Sequence, residues 1–556
     1  MKRAAGLLWS NIGFVCVAVM LMYCIVHAFD SPRLNWGDSG SDYNVMTAGR
    51  NFQRYGFLQM RLTPHLLDAS LQNPADPKVY THYPQLPDLM NGVLRAVFRL
   101  SDLVQFRFVA LGFSFTALFF IYRLVEAYWS RRTAQIALAL WVINPLWIQA
   151  ADSLHAVPYG AFFGYGSVYF LTRYLADERR RGFLLASGAF LFCVYLSSYD
   201  YWFFAPLLLA IVALSHFGGI RAAAIRVIGV LAMFALAAIG FKLATNAWVL
   251  GGIGALVRDL RFQLVERTAN PESRVVIGPG VWPTLLGRVE RCFSLLLFPI
   301  AIYWAAAAFF PTAWARRGPL LQRAKANPWI LLIAALPFLC VFVELWLGQY
   351  YPTLLVMPFY VVACAALAGR LFDTPHRWAR PLAIVLVAGL FANSIAENFS
   401  FKKAFIDPAD VRQMRARLDS VSAPGQYVMT NHVIDFFYAY YFDRPTIDLI
   451  LTSPDRMSAA VAYYANPKRP RVAPPTGAIF VQHKHLAEQL FDKGFYFLLV
   501  RDGLWDAWAF PERHHAAIDA FVTQRDSQVV AAVALTGVKL YETDTYVIWR
   551  IPPPHL

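Results

Sequence analysis

The feature that most constrains this chain is a series of long apolar runs between Gly6 and Glu397. Each run has about 17–23 residues with few or no charges, enough for a helix to span a bilayer core of about 30 Å. Of the 556 residues, 58% are apolar and 15% are charged, whereas a soluble protein carries about 25% charged residues. The sequence therefore predicts a polytopic α-helical membrane protein.

We expect about eleven transmembrane helices in the apolar region. They are predicted at about 6–29, 104–122, 134–150, 157–175, 183–199, 201–216, 227–245, 293–311, 328–346, 353–369 and 380–396. Basic groups such as Arg131-Arg132 and Arg316-Arg317 occupy alternate loops, as cytoplasmic loops do. This pattern predicts a multi-pass protein of the inner (cytoplasmic) membrane with a cytoplasmic amino terminus and a periplasmic, or otherwise extracytoplasmic, carboxyl-terminal domain.

The net charge of +15 is concentrated in the apolar region. Residues 397–556 hold 17 of the 50 basic and 17 of the 35 acidic side chains, which leaves 33 basic and 18 acidic side chains before them. The excess thus follows membrane orientation, so we expect membrane lipids and no nucleic acid as partners. All six cysteines lie before residue 397, so no disulfide can hold the carboxyl-terminal domain together.

We divide the chain into a transmembrane module at 1–396 and a soluble α/β domain at 397–556. The module contains a first outer loop at about 30–102 and a second at about 246–291. Amphipathic stretches at 42–55, 87–100 and 253–264 predict helices lying on the membrane surface. In the soluble domain we predict strands at 426–430, 478–482, 496–501, 529–535 and 546–551, and helices at 433–441, 486–493 and 512–524.

The first outer loop carries polar and aromatic residues in a particular order. It reads Trp36-Gly37-Asp38-Ser39-Gly40-Ser41-Asp42-Tyr43, then Gly49-Arg50-Asn51, Tyr55-Gly56-Phe57 and Tyr80-Thr81-His82-Tyr83-Pro84-Gln85-Leu86. This order resembles the GT-C superfamily of membrane glycosyltransferases. Those most similar are the family 39 enzymes related to protein mannosyltransferases, and the aminoarabinose and galacturonosyl transferases of lipid A. The two aspartates are not adjacent as the family's acidic pair is, and Gln85 stands within its Pro-Pro pair.

The resemblance implies the GT-C fold and a glycosyltransferase that uses a polyprenyl-phosphate-linked sugar. The acceptor would be a hydroxyl of a lipid, glycan or protein at the outer face of the membrane, and the reaction would be inverting. The product would belong to the cell-envelope glycans. No cofactor and no metal site is implied; the lack of an Asp-x-Asp pair argues against a metal without excluding a divalent cation.

The candidate catalytic base is Asp38 or Asp42, because a carboxylate can take a proton from an acceptor hydroxyl. On one helical turn the two would repel each other, which would raise one pKa. The plainer interpretation is that one of them caps the following helix. A leaving phosphate needs cations, and the candidates are Arg61, Lys242, Arg258, Arg261 and Arg267. Each of these could instead hold ordinary lipid headgroups.

Further residues are candidates for lining the site, either by motif match or by position at the outer face. They are Tyr43, His82, Tyr83, Asp152, His155, Glu344, Tyr350 and Tyr351. Glu344 is an acidic residue within an apolar run, which favours a functional role. Solvated loop residues and interfacial aromatic anchors are the alternatives for the rest.

Three other functions remain open on the sequence. The first is an oligosaccharide transferase or ligase with a diphosphate-linked donor, and the second is a lipid-linked sugar flippase or transporter. The third is a scaffold whose external domain binds cell-wall polymer. Charges in outer loops rather than within spans, and the lack of an internal repeat, argue against a transporter.

Overall fold

In the computed structural model, the part of the chain that is described comprises nearly all of the membrane region and much of the carboxyl-terminal region. It covers residues 11–29, 33–34, 39–65, 79, 81, 83–268, 286–287, 290, 292–294, 296–309, 327–341, 351–400, 404–405, 408–422, 426–431, 435–444, 446–449, 458, 461, 477–484 and 515–552.

Most of the described residues form apolar helices, as the apolar runs predict. The helices of this region are α1 (Ile12–Ala28), α2 (Ser39–Tyr55), α3 (Leu86–Phe98), α4 (Leu103–Tyr128), α5 (Arg131–Val142), α6 (Pro145–Ala150), α7 (Ala156–Ala176), α8 (Arg181–Ser197), α9 (Tyr201–Phe217), α10 (Ala222–Leu250), α11 (Ile253–Thr268), α12 (Leu297–Phe309), α13 (Trp329–Val341), α14 (Met357–Asp373) and α15 (Ala379–Ser400). A 3-10 turn, Tyr351–Leu355, precedes α14.

Four of these segments are both long and apolar enough to cross a bilayer. They are Leu103–Tyr128, Ala222–Leu250, Thr353–Asp373 and Ala379–Glu397, and shorter apolar helices accompany them at Ile12–Ala28, Arg181–Ser197, Tyr201–Phe217 and Trp329–Cys340. Each of the predicted spans overlaps a described helix. The protein is a membrane protein, and the apolar helices share one large core.

The predicted span at 134–150 is two helices rather than one. Pro145 lacks the N–H that would continue α5, so a new helix, α6, begins there. The Asn144 side chain caps α6 by accepting a hydrogen bond from the Leu146 amide at 3.0 Å. Its amide nitrogen also donates to the Cys292 carbonyl at 2.9 Å. This break directs α6 toward the loop 151–155.

Three helices occupy the two predicted outer loops, namely α2, α3 and α11. Gly49 of α2 lies so close to α3 that an added Cβ would be 1.8 Å from Asn91 Oδ1, so only glycine permits this packing. The polar face of α3 is buried, while Val93, Val97 and Phe98 are exposed. An apolar face turned outward is what a helix lying on a membrane surface presents.

The carboxyl-terminal region contains α16 (Pro408–Val421), α17 (Asp435–Phe442), α18 (His515–Ala534) and a small mixed sheet. Its strands are β3 (Val428–Thr430), β4 (Thr446–Asp448), β5 (Ala478–His483), β6 (Val538–Glu542) and β7 (Tyr546–Ile551), in the order β4-β3-β5-β7-β6. Strand β3 is parallel to β4 and β5, whereas β7 is antiparallel to β5 and β6.

One predicted strand in this region is wrong. Residues 529–535 form the last turns of α18 and its end, not a strand. Val522, Val529 and Val533 are buried at helical spacing, and the alanines among them favour a helix. A short apolar run has no clear period, so its sequence is compatible with both a strand and a helix. The predicted strand 496–501 and helix 486–493 lie outside the described residues.

The first outer loop and the carboxyl-terminal region are joined in two ways. Strand β1 (Arg33–Leu34) pairs antiparallel with β2 (Ala404–Phe405). In addition, Tyr43 and Met46 of α2 belong to the same buried apolar cluster as Tyr438 and Phe442 of α17. The helix that carries the predicted base is therefore packed against the carboxyl-terminal region.

Candidate functional site

Asp42 lies in the first turn of α2 and is bound by the loop between α6 and α7. Its Oδ1 accepts a hydrogen bond from Ser153 Oγ at 2.9 Å and another from the Leu154 amide at 2.7 Å. The side chain is buried. The predicted outer loops at 30–102 and at 152–155 thus meet at this carboxyl group.

The charge of Asp42 is unfavourable in this position. Burial raises the pKa of Asp42 to about 6, and the nearby Asp152 adds to the rise, while Arg107 opposes it. Arg107 itself lies 3.9 Å from Asp152 between Nε and Oδ2, and it donates to the Ala28 carbonyl at 3.2 Å. A carboxyl with a pKa near neutrality is suited to exchanging protons.

A buried ammonium group lies in the same region. Lys242 of α10 donates from Nζ to the carbonyl of Tyr83 at 2.7 Å and to that of Thr81 at 3.2 Å. Asn246, one turn further on, also donates to the Thr81 carbonyl. The segment predicted to line the site, 80–86, is therefore fixed to α10 through its backbone.

Tyr83 connects the ammonium group to the loop 151–155. Its ring packs edge-on against His155 with centroids 4.7 Å apart, and its centroid is 5.6 Å from that of Tyr199. His155 precedes the first turn of α7. The structure therefore connects Tyr83, His155 and Lys242 through direct contacts, and a fourth predicted site residue, Asp152 in the same loop as His155, acts on Asp42.

Sequence reasoning missed one carboxyl of this site, Asp88 in the first turn of α3. Asp88 is buried, and burial raises its pKa to about 7, against the opposing charges of His155 and Lys242. A signal was present, because the polar residues Gln85, Asp88, Asn91 and Arg95 recur every three or four positions. That spacing marks a polar helical face opposite the apolar one, and such a face has to be buried when the apolar face meets lipid.

Tyr159 in the first turns of α7 experiences the charges of both Asp42 and Asp88. The two carboxyls therefore border one site from different helices. The predicted partner of Asp42 was Asp38, which lies outside the described residues. Among the described residues, no group of three or more His, Cys, Asp or Glu side chains is placed to hold a metal ion.

The predicted arginines are placed away from the two carboxyls. Arg61 has a positive φ of 53° and donates to the Trp248 and Val249 carbonyls at the end of α10. Arg258 and Arg261 are exposed on α11. The side chain of Arg267 lies outside the described residues.

The other predicted lining residues are Tyr43 and several that are not described. Tyr43 is buried against the rings of Tyr440 and Tyr441 from α17, and it also experiences the charges of Asp42 and Arg107. Tyr351 begins the 3-10 turn, and its side chain is not described. His82, Glu344 and Tyr350 lie outside the described residues.

The other end of α2 is held by an ion-pair cluster on the soluble domain. Arg50 Nη2 lies 3.0 Å from Asp443 Oδ1, and Arg54 Nη2 lies 2.7 Å from Asp443 Oδ2. Arg50 also donates to the Tyr440 carbonyl at 3.0 Å. This cluster, Arg50, Arg54, Asp443 and the Tyr440 carbonyl, is called the clamp below.

The arrangement of helices and outer loops is similar to that of solved membrane glycosyltransferases. The oligosaccharyltransferase AglB from Archaeoglobus fulgidus, in complex with an inhibitory peptide and a dolichol-phosphate, superposes with a TM-score of 0.56. That match covers 89% of this chain and 72% of AglB at 14% identity. ArnT from Cupriavidus metallidurans, bound to undecaprenyl phosphate, superposes with a TM-score of 0.50 over 97% of each chain at 13% identity. This chain has the GT-C fold.

The GT-C fold confirms the resemblance found in the first outer loop. At such low identity the match defines the fold alone. No protein-family model matches the sequence, and no curated protein matches it significantly. The chemistry of this GT-C protein therefore has to be argued from its own site.

Proposed function

We propose that this GT-C protein transfers a sugar from a polyprenyl-phosphate donor to an acceptor hydroxyl at the outer face of the cytoplasmic membrane. The observation that carries the proposal is the buried carboxyl of Asp42, held by the loop 151–155, whose His155 packs against Tyr83, the residue whose carbonyl binds the buried ammonium of Lys242. A base and a phosphate-binding cation are the two groups that this transfer requires.

In the proposed reaction Asp42 is the general base. Both of its hydrogen bonds from Ser153 and Leu154 go to Oδ1, so we assign proton transfer to Oδ2. The carboxylate takes the proton of the acceptor hydroxyl while the hydroxyl oxygen attacks the anomeric carbon of the sugar. The bond from that carbon to the phosphate oxygen breaks, its electron pair leaves with the lipid phosphate, and the configuration is inverted.

Lys242 is the proposed phosphate contact. Its ammonium is buried and pointed at the segment 81–83 by two carbonyl acceptors. A cation in this environment stabilises the charge that develops on the leaving phosphate more strongly than one in water does. Arg61, Arg258 and Arg261 lie further out, where we assign them to lipid headgroups and to the approach of the donor.

The placement of the site supports the proposed topology. The start of α4, the start of α7 and the last turns of α10 all contribute residues to it, and the predicted orientation puts these three helix ends outside. We propose about eleven crossings, a cytoplasmic amino terminus, a transmembrane module at 1–396 and an extracytoplasmic domain at 397–556.

The apolar helices also form a small apolar cleft. It has a cavity volume of about 70 Å³ and lies among α4, α5, α7, α9, α13 and α14. Tyr165 and Val168, further along α7 than the site residue Tyr159, are part of its wall. Its lining is apolar, as a prenyl chain requires.

A second candidate is transfer of an oligosaccharide from a diphosphate-linked donor. The observation in its favour is the similarity to the oligosaccharyltransferase AglB over most of this chain. The match to ArnT nevertheless spans nearly the full length of both chains, and we therefore favour a monophosphate donor.

The test is a transfer assay with the purified protein in detergent. Radiolabelled undecaprenyl-phosphate sugars and undecaprenyl-diphosphate sugars are supplied in parallel with an extract of envelope lipids and glycans. We expect label to move from the monophosphate donors and to stop moving in Asp42→Asn. Asp373→Asn, a matched change of an exposed aspartate paired with Arg132, should be fully active.

Each contrary result has a defined meaning. Full activity in Asp42→Asn would remove Asp42 as the base, and Asp38→Asn would then be tested in its place. Transfer from diphosphate donors alone would favour the oligosaccharide reaction. Movement of labelled lipid across vesicles without transfer would favour a flippase.

A further inference from the structure

We propose that Asp88 is a ligand of the lipid phosphate that leaves in the transfer and that it binds this phosphate in its protonated form, by donating a hydrogen bond. This inference rests on the proposed function, because it assumes that the phosphate lies beside Lys242. It predicts that binding of the lipid phosphate takes up a proton at Asp88.

The first step of the argument is where α3 places this side chain. Gln85, three residues before Asp88, donates from Nε2 to Thr245 Oγ1 of α10 at 3.0 Å. Lys242 lies one turn before Thr245 and binds the Tyr83 carbonyl at 2.7 Å. The first turn of α3 is thus fixed against the turn of α10 that carries the ammonium group.

The second step concerns the groups that face Asp88. His155 precedes α7 and Lys242 lies on α10, and both act on the Asp88 carboxyl. Tyr159 of α7 experiences the charge of Asp88 as well. Asp259 of α11 acts on Lys242 from the other side, and it accepts a hydrogen bond from Thr81 Oγ1 at 3.0 Å.

The third step is the charge balance. The donor phosphate is a diester with one negative charge, and when the sugar is transferred it becomes a monoester that carries about −1.5 to −2 at pH 7. With Asp88 ionised, the Asp88–Lys242 pair is neutral, so the lipid phosphate formed by the transfer would leave close to two uncompensated negative charges in a buried place. Protonation of Asp88 makes the pair positive and also supplies a donor to a phosphate oxygen. Like charges in low dielectric repel strongly enough to force that protonation.

The protein itself already favours this change. Burial raises the pKa of Asp88 to about 7, and a phosphate beside it would raise that pKa further. The competing explanation is that Asp88 only stabilises the amino-terminal end of α3 and the charge of Lys242. That structural role would keep Asp88 ionised in the complex, whereas the proposed role requires the opposite.

The experiment measures the dissociation constant of undecaprenyl phosphate between pH 6.5 and 9. The second ionisation of a phosphate, near pH 6, strengthens binding and is nearly complete in this window. In the wild type we expect affinity to fall toward tenfold per pH unit at the alkaline end. Asp88→Asn has a neutral hydrogen-bond donor, like the protonated carboxyl. Its affinity for undecaprenyl phosphate should therefore lack the alkaline fall that Asp88 causes.

Lys242 can also lose a proton, so both proteins are measured again in a Lys242→Arg background. Arginine stays charged throughout the window, and any remaining fall in affinity then belongs to Asp88. Asp88→Glu keeps the carboxyl and should keep the fall, which also provides a second variant if Asp88→Asn does not fold. Asp373→Asn is the matched control with wild-type behaviour.

Two results would overturn the role of Asp88. One is an affinity for undecaprenyl phosphate that falls equally above pH 7 in the single variant Lys242→Arg and in the double variant Lys242→Arg, Asp88→Asn. The other is Asp88→Asn binding at every pH only as weakly as the wild type at pH 9. Failure of the wild type to bind undecaprenyl phosphate at any pH would instead contradict the proposed function.

Discussion

The pKa values of two aspartates at opposite ends of α2 are shifted in opposite directions. Asp42 is part of α2, whereas Asp443 belongs to the carboxyl-terminal region and binds two arginines of α2. Asp42 is buried near the start of α2, and burial raises its pKa to about 6. At Asp443, which binds the end of α2, partial burial would raise the pKa, but Arg54 and Arg50 outweigh it and lower the pKa. The positions of Asp42 and Arg54 are about 18 Å apart along the helix.

The difference separates a reactive group from an anchoring group. A carboxyl with two arginine partners is stable as a charge and holds the helix to the soluble domain. A carboxyl with two neutral donors and a distant arginine is a poor charge and therefore a usable base. One helix thus carries the proposed chemistry at its start and the clamp at its end.

The largest expected effect is the loss of transfer activity when Asp42 is replaced, and it tests whether the start of α2 carries the reactive group. Asp42→Asn should lower the transfer rate by about 10²–10⁴-fold, the range that a general base contributes. Asparagine keeps an Oδ1 that can accept from Ser153 and Leu154, so the fold should be retained. The measurement is kcat for sugar transfer, with Asp373→Asn as the control.

The same substitution should make the protein more stable at neutral pH. Because the folded pKa of Asp42 is raised to about 6, stability from this group is present below about pH 4 and is lost as the pH rises through 6. The penalty at pH 7.5 is about 1–3 kcal/mol. Asp42→Asn should remove it and raise Tm in detergent; a lower Tm would contradict the assignment of Asp42 as a strained charge.

The next effect concerns pH and catalysis. The base must be ionised, so kcat/KM should fall about tenfold per pH unit below about pH 6 as Asp42 becomes protonated. A pH profile of kcat/KM with saturating acceptor tests this expectation. A profile that stays level down to pH 4.5 would mean that the base is a carboxyl with an ordinary pKa.

A smaller effect is expected at the clamp. Asp443→Ala removes the partner of Arg50 and Arg54 and should lower the free energy of unfolding by about 1–3 kcal/mol. Transfer activity should fall only a few-fold, because the clamp acts on the reaction through α2. Asp544→Ala, at an exposed turn, is the matched control. A loss of activity in Asp443→Ala as large as that in Asp42→Asn would contradict the division of α2 into a reactive start and an anchoring end.

The smallest effect is expected for the exposed arginines of α11. Arg258→Ala combined with Arg261→Ala should raise KM for the lipid donor a few-fold in vesicles with anionic lipid. The difference should disappear at high salt, since exposed charges are screened. A salt-independent loss of kcat would instead place one of them in the reaction.

The sequence predicted the membrane helices well because the bilayer demands about twenty apolar residues for each crossing. It also predicted the helices at the first outer loop, since their apolar faces recur at helical spacing. It failed at 529–535, where a short apolar run is compatible with both a strand and a helix. At Tyr43, motif order predicted a site residue but did not show that its ring also packs against Tyr440 and Tyr441.

By itself, the sequence determined that this is a membrane protein whose first long loop carries the residue order that resembles the GT-C superfamily. Periodicity and charge are local properties, and they are visible in the order of residues. Only the tertiary structure decided that Asp42 meets Ser153, that Lys242 binds the carbonyls of 81 and 83, and that Asp88 joins them. These contacts bring together residues more than 100 positions apart, and their pKa values follow from burial, which no local pattern encodes.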